Sequence, residues 1–459
     1  MPDNQMDYRN KVRDAAGILA LIKDGSTIVT NGGSGLPNRF FQILAENATR
    51  FRDVRLCHPM RREAMPIVPE LTGAQNEGHL FHVSDFAFDR PVIEAIREGR
   101  AVYRPNHPTD SGRYFPFDVD TLVIPVSSMD AHGYFSLGAF GGWIKSFVAK
   151  ARQIVLEVNP QQPRVLGDCQ VPLSRAAAIL EADYPLPKIE LSGIVATAEE
   201  KAIAQHVAEI VRDGATLQIG AGTIPDAVLK LLGNAGYKDL GIHSEAMFDG
   251  VADLYEAGVI TNARKTLHKD KFVYALAFGS QRIYDFIDDN PATEMHDIAY
   301  VADPRVICTN FRPFSVNATI QIDLMGQCAS ETFGSQHYSG VGGQWNFHYG
   351  TSLAEEGRAV ITLLSTAKQG SVSRVVPVLP LGSAVSISRN DIQYVATEYG
   401  IANLKGKTLE DRARALIGLA HPKFREELER SARDDLKVLP RRLHAIPAVA
   451  LEPNPSVGT

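Results

Sequence analysis

The residue best placed for chemistry in this sequence is Glu245, which ends the segment Asp-Leu-Gly-Ile-His-Ser-Glu at 239–245. A glycine-rich turn at 218–225 precedes this segment, with roughly one helix length of chain between them. A strand, a glycine turn, a helix and a short apolar strand ending in a carboxylate are the layout of an α/β active site. Because ligands bind at the carboxyl ends of strands in open α/β sheets, Glu245 is predicted to act as a nucleophile or a base.

The glycine turn restricts the choice of ligand. Gly220 and Gly222 could begin a dinucleotide fingerprint, but Pro225 occupies the place of its third glycine, which argues against a nicotinamide site. Backbone N–H groups at the start of the following helix can still bind an anion or a polarised carbonyl, so a nucleotide-containing ligand stays open. His243 and Glu245 resemble half of a zinc deaminase signature, but the Pro-Cys-x-x-Cys partner does not occur in the sequence.

Composition argues against several classes of protein. The 459 residues exceed the roughly 250–300 at which a single core stops growing, so at least two domains are expected. A net charge of −6 argues against a nucleic-acid-binding protein, which needs a basic face. Four cysteines without a Cys-x-x-Cys spacing indicate a reducing compartment. The N-terminus is polar and no run of about 18 apolar residues occurs, so we expect a cytoplasmic protein that does not span a membrane.

The order of elements around Glu245 occurs twice in the chain. Glycine turns at 25–37 and 214–225 each open an amphipathic helix, and each helix leads to a similar strand, at 53–58 and 239–243. The two copies lie about 188 residues apart. This spacing indicates a duplicated domain, because solenoid repeats have periods of about 20–50 residues.

Within each copy, short apolar runs alternate with helical patterns. Two prolines within 184–188 separate a first domain at 1–183 from a second at 189–445. Continuous apolar strands predict largely parallel sheets that are buried on both faces. We therefore expect an α/β fold of two tandem, pseudo-equivalent open α/β domains with a cleft between them. The predicted strands include 121–126, 153–158, 271–275 and 359–364, and the predicted helices include 143–150, 199–211 and 409–417.

A second glycine cluster, Gly-Val-Gly-Gly at 340–343, is flanked by aromatic residues. Three glycines in four residues exclude a helix and disfavour the interior of a strand. The segment is either an irregular surface loop or a place where backbone approaches a ligand and presents N–H donors. Glu398, in a Thr-Glu-Tyr-Gly segment, is a third candidate, although it could instead pair with Lys405 or Arg374.

Together these blocks resemble the acetyl-CoA hydrolase/transferase family, the butyryl-CoA and 4-hydroxybutyrate type of class I CoA-transferases. No single block is specific, but their combination is. The matching blocks are 129–138 and 155–159 in the first half, and 220–225, 243–245, 315–317, 323–327, 339–347, 371–374, 397–400 and 420–422 in the second.

The resemblance implies CoA-transferase-like domains with the active site in the interdomain cleft, and a homodimer. It implies that Glu245 is the nucleophile, that acyl-CoA and small carboxylic acids are the substrates, and that no metal is needed. Coenzyme A is then a substrate and a transient covalent partner. Asn346 departs from the family pattern, which usually has an aspartate there, and this leaves the acyl specificity open. The CoA-binding positions of the family fall on Gly220, Ala221, Gly222, Thr223, Ile224, Ile320, Gly343 and Lys368.

A carboxylate nucleophile can move CoA between acids without losing the thioester energy to water. In this chemistry Glu245 attacks the donor thioester to give a mixed anhydride, and the released thiolate returns to form a glutamyl-CoA thioester. The oxyanion of each tetrahedral intermediate needs N–H donors. The candidates for these catalytic donors are Gly342 and Gly343, supported by Gln218.

Two other functions stay open at this point. An acyl-CoA hydrolase would use the same site with water intercepting the glutamyl thioester, and a non-catalytic CoA- or sugar-phosphate-binding protein could share the fold. Glu245 argues against the binding protein, which needs no carboxylate there. The acids also stay open: acetate, butyrate, 4-hydroxybutyrate, succinate and itaconate are candidates. Arg61 and Arg62 could receive the distal carboxylate of a dicarboxylate by bidentate pairing, or could be a solvated basic pair.

Overall fold

The computed structural model describes residues 4–58, 71–86, 90–188, 195–220 and 222–439. In the first half of the chain the described strands are β1 (Thr27–Thr30), β2 (Val54–His58), β3 (Leu80–Ser84), β4 (Ala101–Tyr103), β5 (Thr121–Val126), β6 (Tyr134–Ser136), β7 (Gln153–Val158), β8 (Gln170–Pro172) and β9 (Ala176–Glu181). The described helices of this half are α1 (Asn4–Lys11), α2 (Ala15–Leu19), α3 (Asn38–Asn47), α4 (Arg90–Arg97) and α5 (Gly141–Val148).

The second half continues the same alternation of strands and helices. Its strands are β10 (Thr216–Ile219), β11 (Gly241–Met247), β12 (Phe272–Ala277), β13 (Thr293–Met295), β14 (Pro313–Ala318), β15 (Gln321–Asp323), β16 (Cys328–Ala329), β17 (Thr332–Phe333), β18 (Gln336–His337), β19 (Arg358–Thr362), β20 (Thr366–Ala367), β21 (Val372–Ser373), β22 (Val375–Val376), β23 (Tyr394–Thr397) and β24 (Gly400–Asn403). Its helices are α6 (Ala198–Ala208), α7 (Thr223–Asn234), α8 (Asp249–Glu256), α9 (Gln281–Ile287), α10 (Ile298–Val301), α11 (Pro304–Ile307), α12 (Gln344–Leu353), α13 (Leu409–Leu419) and α14 (Pro422–Asp434).

Each half is built around one open sheet, and the seven strands of the first sheet have counterparts in the same order in the second, which adds β24 at its edge. The first sheet runs β4-β3-β2-β1-β5-β7-β9, and the second runs β13-β12-β11-β10-β14-β19-β23-β24. The strands of the first sheet are all parallel, and in the second only β24 is antiparallel to its neighbour. The prediction of two tandem, pseudo-equivalent open α/β units is confirmed.

The duplication extends to individual backbone conformations. Gly25 and Gly214, which precede β1 and β10, have φ angles of 71° and 75°. Asp53 and Asp239, which precede β2 and β11, have φ angles of 54° and 55°, in the left-handed region that residues other than glycine seldom adopt. Equivalent turns in the two halves therefore retain the same unusual geometry.

The predicted elements occur where the sequence placed them, with differences at their ends. Strands β5 and β7 match the prediction residue for residue. Strand β12 ends two residues later than predicted, and β19 ends two residues earlier. Among the helices of the described residues, none is long and apolar enough to cross a bilayer. The division at 184–188 follows β9, but the limits of the domains and the homodimer stay predictions.

Close backbone packing at Gly142 joins the two halves. Helix α5 of the first half lies so near the second half that a Cβ atom on Gly142 would be 2.2 Å from the carbonyl oxygen of His296 and 2.5 Å from that of Ala275. Beside this contact the Met295 N–H donates to the carbonyl of Leu166 at 2.8 Å, so first-half backbone pairs with edge strand β13. Only glycine permits this approach, and the approach fixes the cleft between the halves.

We predict that Gly142→Ala lowers the free energy of unfolding by about 1–3 kcal/mol, because the added methyl group forces the halves apart. Gly418→Ala is the matched control, since Gly418 also lies within a helix but has no atom within 4 Å of its would-be Cβ. The control should be neutral or slightly stabilising, because alanine favours helices over glycine by about 1 kcal/mol. Equal denaturant midpoints for Gly142→Ala and the wild type would show that the contact is not tight.

Candidate active site

Glu245 is the fifth of seven residues in β11, an inner strand of the second sheet. The prediction that this strand ends at Glu245 is wrong. Strand β11 continues to Met247, because Ala246 and Met247 extend the pairing with Leu276 and Ala277 of β12. Glu245 therefore lies in the carboxyl-terminal part of the strand, two residues before its end.

The Glu245 carboxylate is bound by backbone of the second glycine cluster. The Gly343 N–H donates to Oε2 of Glu245 at 2.9 Å. Gly343 directly precedes helix α12, whose positive end favours a negative charge at this position. A Cβ atom on Gly343 would lie 2.1 Å from the same Oε2, so only glycine leaves room for this contact.

Burial changes the acidity of Glu245. Burial raises the pKa of this carboxyl from its ordinary 4.5 to about 7, and the Gly343 N–H, which favours the charged form, offsets part of the rise. Apart from Glu245, Arg374 is the one charged residue among the described residues that line the surrounding cavity. The carboxyl is therefore weakly stabilised as an anion, and a carboxylate of this kind is more reactive than one in water.

A cavity of about 550 Å³ surrounds Glu245 and is lined by both halves of the chain. Phe86, Phe140 and Trp143 of the first half form its apolar wall, and the rings of Phe86 and Trp143 make an edge contact with centroids 6.5 Å apart. Phe278 of the second half makes a similar contact with Phe140, with centroids 5.3 Å apart. Glu245 therefore lies beside an aromatic surface that disfavours water.

The structure brings six of the predicted site residues to this cavity: Glu245, Gln218, Gly220, Ile320, Gly342 and Gly343. Gln218 has a fixed amide orientation, because it exchanges two hydrogen bonds with Asn317. The Asn317 amide donates to Gln218 Oε1 at 3.0 Å, and the Gln218 amide donates to Asn317 Oδ1 at 3.3 Å. Gly342 has a left-handed φ of 56°, and its would-be Cβ is 3.0 Å from the Phe86 ring.

Four predicted CoA-binding residues do not line the cavity with Glu245. Gly222 lines a smaller neighbouring pocket that also includes Gly220. The Thr223 hydroxyl donates to Glu200, and Ile224 packs in the core of the chain. Lys368 is exposed in the hairpin formed by β20 and β21. Their contacts with CoA stay predictions.

The remaining predicted residues either lie away from the cavity or are not among the residues that the structure describes. Ala221, Arg61 and Arg62 lie outside the described residues. Asn346 is buried in α12 and does not line the cavity; its amide donates to Thr109 Oγ1 at 3.3 Å.

Glu398 lies in neither of the ion pairs that the sequence suggested. Its carboxylate accepts hydrogen bonds from the backbone N–H and the hydroxyl of Ser365, the former at 2.9 Å. Glu398 therefore fixes the chain that follows β19.

Sequence reasoning did not identify the aromatic wall, Asn317 or Arg374 as cavity residues. Asn317 and Arg374 fall within the blocks at 315–317 and 371–374 that resemble the family, so those blocks held a signal for them. Nothing in the spacing of Phe86, Phe140 and Trp143 indicates that they meet.

Both ends of the chain match one protein family. Residues 2–190 match the N-terminal domain of acetyl-CoA hydrolase/transferase, and residues 279–432 match its C-terminal domain. The chain belongs to this family. It is 41% identical to the 4-hydroxybutyrate coenzyme A transferase of Clostridium kluyveri, over 92% of this chain and 97% of the relative.

Further comparisons agree with this assignment. The chain is 31% identical to the butyryl-CoA:acetate CoA-transferase of Anaerostipes caccae, over 93% of this chain and 96% of the relative. The crystal structure of RipA from Yersinia pestis superposes with a TM-score of 0.87 at 33% identity, covering 94% of this chain and 99% of that one. The match extends over nearly the whole length of each relative, so both halves of the fold are shared.

We predict that Gly343→Ala lowers kcat for CoA transfer by at least about 100-fold, because the Glu245 carboxylate must move away from the Gly343 N–H and losing one such donor in catalysis typically costs this much. The added methyl group would overlap the Glu245 carboxylate, whereas the backbone φ of −80° suits alanine. The fold should therefore persist, which circular dichroism and the unfolding midpoint can verify. Gly418→Ala again serves as the control, and unchanged kcat in Gly343→Ala would show that the contact with Glu245 is not needed.

We predict that kcat/KM for an acyl-CoA falls about tenfold per pH unit below about pH 7 and is level above it, because we expect the ionised form of Glu245 to be the active one. Stability should change in the opposite sense. A carboxyl whose pKa is raised on folding favours the folded state while it is protonated, and this contribution is lost as pH rises from 4.5 to about 7. Wild type should thus lose stability relative to Glu245→Gln across that window. An activity limb centred near pH 4.5 would contradict the raised pKa.

Proposed function

We propose that this protein is an acyl-CoA:carboxylate CoA-transferase, which moves CoA between small carboxylic acids through a glutamyl-CoA thioester on Glu245. The observation that carries the proposal is the Glu245 carboxylate, held by one backbone N–H inside an apolar cavity between the halves. The names of the relatives support it, since one is a 4-hydroxybutyrate coenzyme A transferase and another a butyryl-CoA:acetate CoA-transferase.

The two carboxylate oxygens have different environments and therefore different roles. Oε2 accepts the Gly343 N–H, whereas Oε1 accepts no hydrogen bond from the residues that the structure describes. Oε1 attacks the thioester carbonyl, the carbon–sulfur bond breaks, and CoA leaves as a thiolate. The product is a mixed anhydride in which Oε2 becomes the carbonyl oxygen of the glutamyl group.

The same N–H then stabilises the second step. The CoA thiolate attacks the glutamyl carbonyl carbon, and the negative charge develops on Oε2, which already lies 2.9 Å from the Gly343 nitrogen. Such a donor is typically worth about 3–4 kcal/mol in the transition state. Collapse of this intermediate releases the first acid and leaves glutamyl-CoA, and an acceptor acid reverses both steps.

The cavity wall favours transfer over hydrolysis. The anhydride and the glutamyl thioester both react with water, so a transferase must keep water away from them. Phe86, Phe140 and Trp143 supply apolar surface next to Glu245. Polar groups also line the cavity, among them Gly220, Ser330 and Arg374, and they are suited to the CoA end of the thioester. Remote binding of CoA there can drive formation of the anhydride.

We predict that butyryl-CoA without an acceptor acid leaves a CoA adduct on the peptide that contains Glu245, detected by intact-protein and peptide mass spectrometry. Glu245→Gln keeps the size of the side chain but removes the nucleophile, so this variant should form no adduct and transfer no CoA. Glu355→Gln changes an exposed glutamate and should behave as wild type.

Three results would count against the proposal. One is an adduct of equal yield in Glu245→Gln, and another is transfer activity in that variant. The third is steady release of CoA from butyryl-CoA at the same rate with and without acetate, which would favour the hydrolase.

A further inference from the structure

Three side chains with metal-binding groups meet at the edge of the second sheet, away from the active-site cavity. Glu294 lies in β13, and His296 is the first residue after this strand. His268 reaches them from the chain before β12. One carboxylate oxygen and two imidazole nitrogens lie within 4.8 Å of one another. None of the three is among the described residues that line the cavity around Glu245.

The distances in this cluster are close to those around a tetrahedral ion. Glu294 Oε2 is 2.6 Å from His268 Nδ1 and 3.2 Å from His296 Nε2. Bonds of about 2.0–2.1 Å to zinc place neighbouring tetrahedral ligands about 3.3 Å apart. The second distance already has this value, and the first needs to open by less than about 1 Å. The imidazole rings have centroids 4.7 Å apart, so small rotations of the rings bring one nitrogen of each within bonding distance of a shared ion.

The surroundings hold the ligands in place. The Tyr300 hydroxyl lies 2.8 Å from His268 Nε2, the ring nitrogen that does not contact Glu294. Metal-binding histidines typically make such a second hydrogen bond, which fixes the ring and its tautomer. The nearby ammonium of Lys265 donates to the backbone carbonyls of Ile242 and Lys271, at 2.7 and 2.6 Å, and so does not neutralise the carboxylate by direct contact.

The cluster is also accessible to an ion from solvent. The side chains of His268, Glu294 and His296 are 23%, 25% and 17% exposed. His268 adopts a left-handed φ of 47°, which is unfavourable for a residue with a Cβ atom. The chain before β12 therefore brings this imidazole to β13 through an unusual backbone conformation.

We propose that His268, Glu294 and His296 bind one divalent transition-metal ion of the zinc type, with a fourth position open to water. Two imidazoles and one carboxylate suit zinc, whereas calcium and magnesium prefer oxygen ligands only. The ion binds the ring nitrogens that face Glu294, and a neutral imidazole keeps its proton on the other ring nitrogen, so binding releases a proton to solvent only from an imidazole that was charged. By tying the chain before β12 to β13, the ion stabilises the second half of the protein and takes no part in acyl transfer.

The test uses the full chain, stripped with a chelator and dialysed, and ZnCl₂ as the probe. Calorimetry should find one site per chain, and the unfolding midpoint should rise with ZnCl₂ concentration. CoCl₂ should give the intense visible absorption of a tetrahedral site. Glu294→Gln should lose the calorimetric signal, the midpoint shift and the cobalt band. Tyr300→Phe should bind zinc about 10–100-fold more weakly, since it removes the second hydrogen bond of His268.

His206→Ala is the matched control, because His206 is a partly exposed histidine that lies 4.0 Å from Glu209 and is not part of the cluster. This variant should bind zinc as wild type does. Each midpoint shift is measured against the metal-free form of the same variant, so a loss of intrinsic stability does not affect the comparison. Zinc binding of equal affinity in wild type and Glu294→Gln, or no binding by wild type at 100-fold excess over protein, would overturn the proposal.

Discussion

The hydrogen bond from the Gly343 N–H to the Glu245 carboxylate is the contact on which the candidate site depends. It joins residues 98 positions apart, so it exists only when the loop before α12 is held against β11. The first half of the chain holds that loop: a Cβ on Gly340 would be 3.0 Å from both the Asp85 carbonyl oxygen and the Phe86 ring. The Glu245 carboxylate in one half is therefore positioned by packing against the other.

The two halves share a fold but have diverged in chemistry. Strand β11 carries Glu245, whereas its counterpart β2 ends at His58, one residue before Pro59, which corresponds to Glu245 and lies outside the described residues. The first half instead supplies the aromatic wall, including Phe140 and Trp143. The two sheets thus have matching strand orders, and the close contact at Gly142 sets them together so that one carries Glu245 and the other supplies the apolar wall beside it.

Much of the fold could be predicted from the sequence because its signals are local. Apolar runs such as 121–126, glycine turns and the repeated order of elements each depend on nearby residues, and the structure has them where the sequence indicated. The site was harder to predict, because its contacts join distant segments. Gln218 and Asn317 pair across 99 residues, and no local pattern indicates that pair. Glu245 was identified by its place after a glycine turn, but the continuation of β11 past it depends on pairing with β12.

The proposed anhydride between the acceptor acid and Glu245 can be tested directly by tracing the oxygen atoms of the acid. Acetate labelled with ¹⁸O in both oxygens is incubated with the enzyme and butyryl-CoA. The protein is then digested, and the masses of its peptides are measured by mass spectrometry. If the acceptor acid forms an anhydride with Glu245, one acetate oxygen stays on that carboxylate, and only the peptide containing Glu245 gains mass. Acetyl-CoA formation with no label in that peptide would contradict the account, because the acid would then have reacted without bonding to the glutamate.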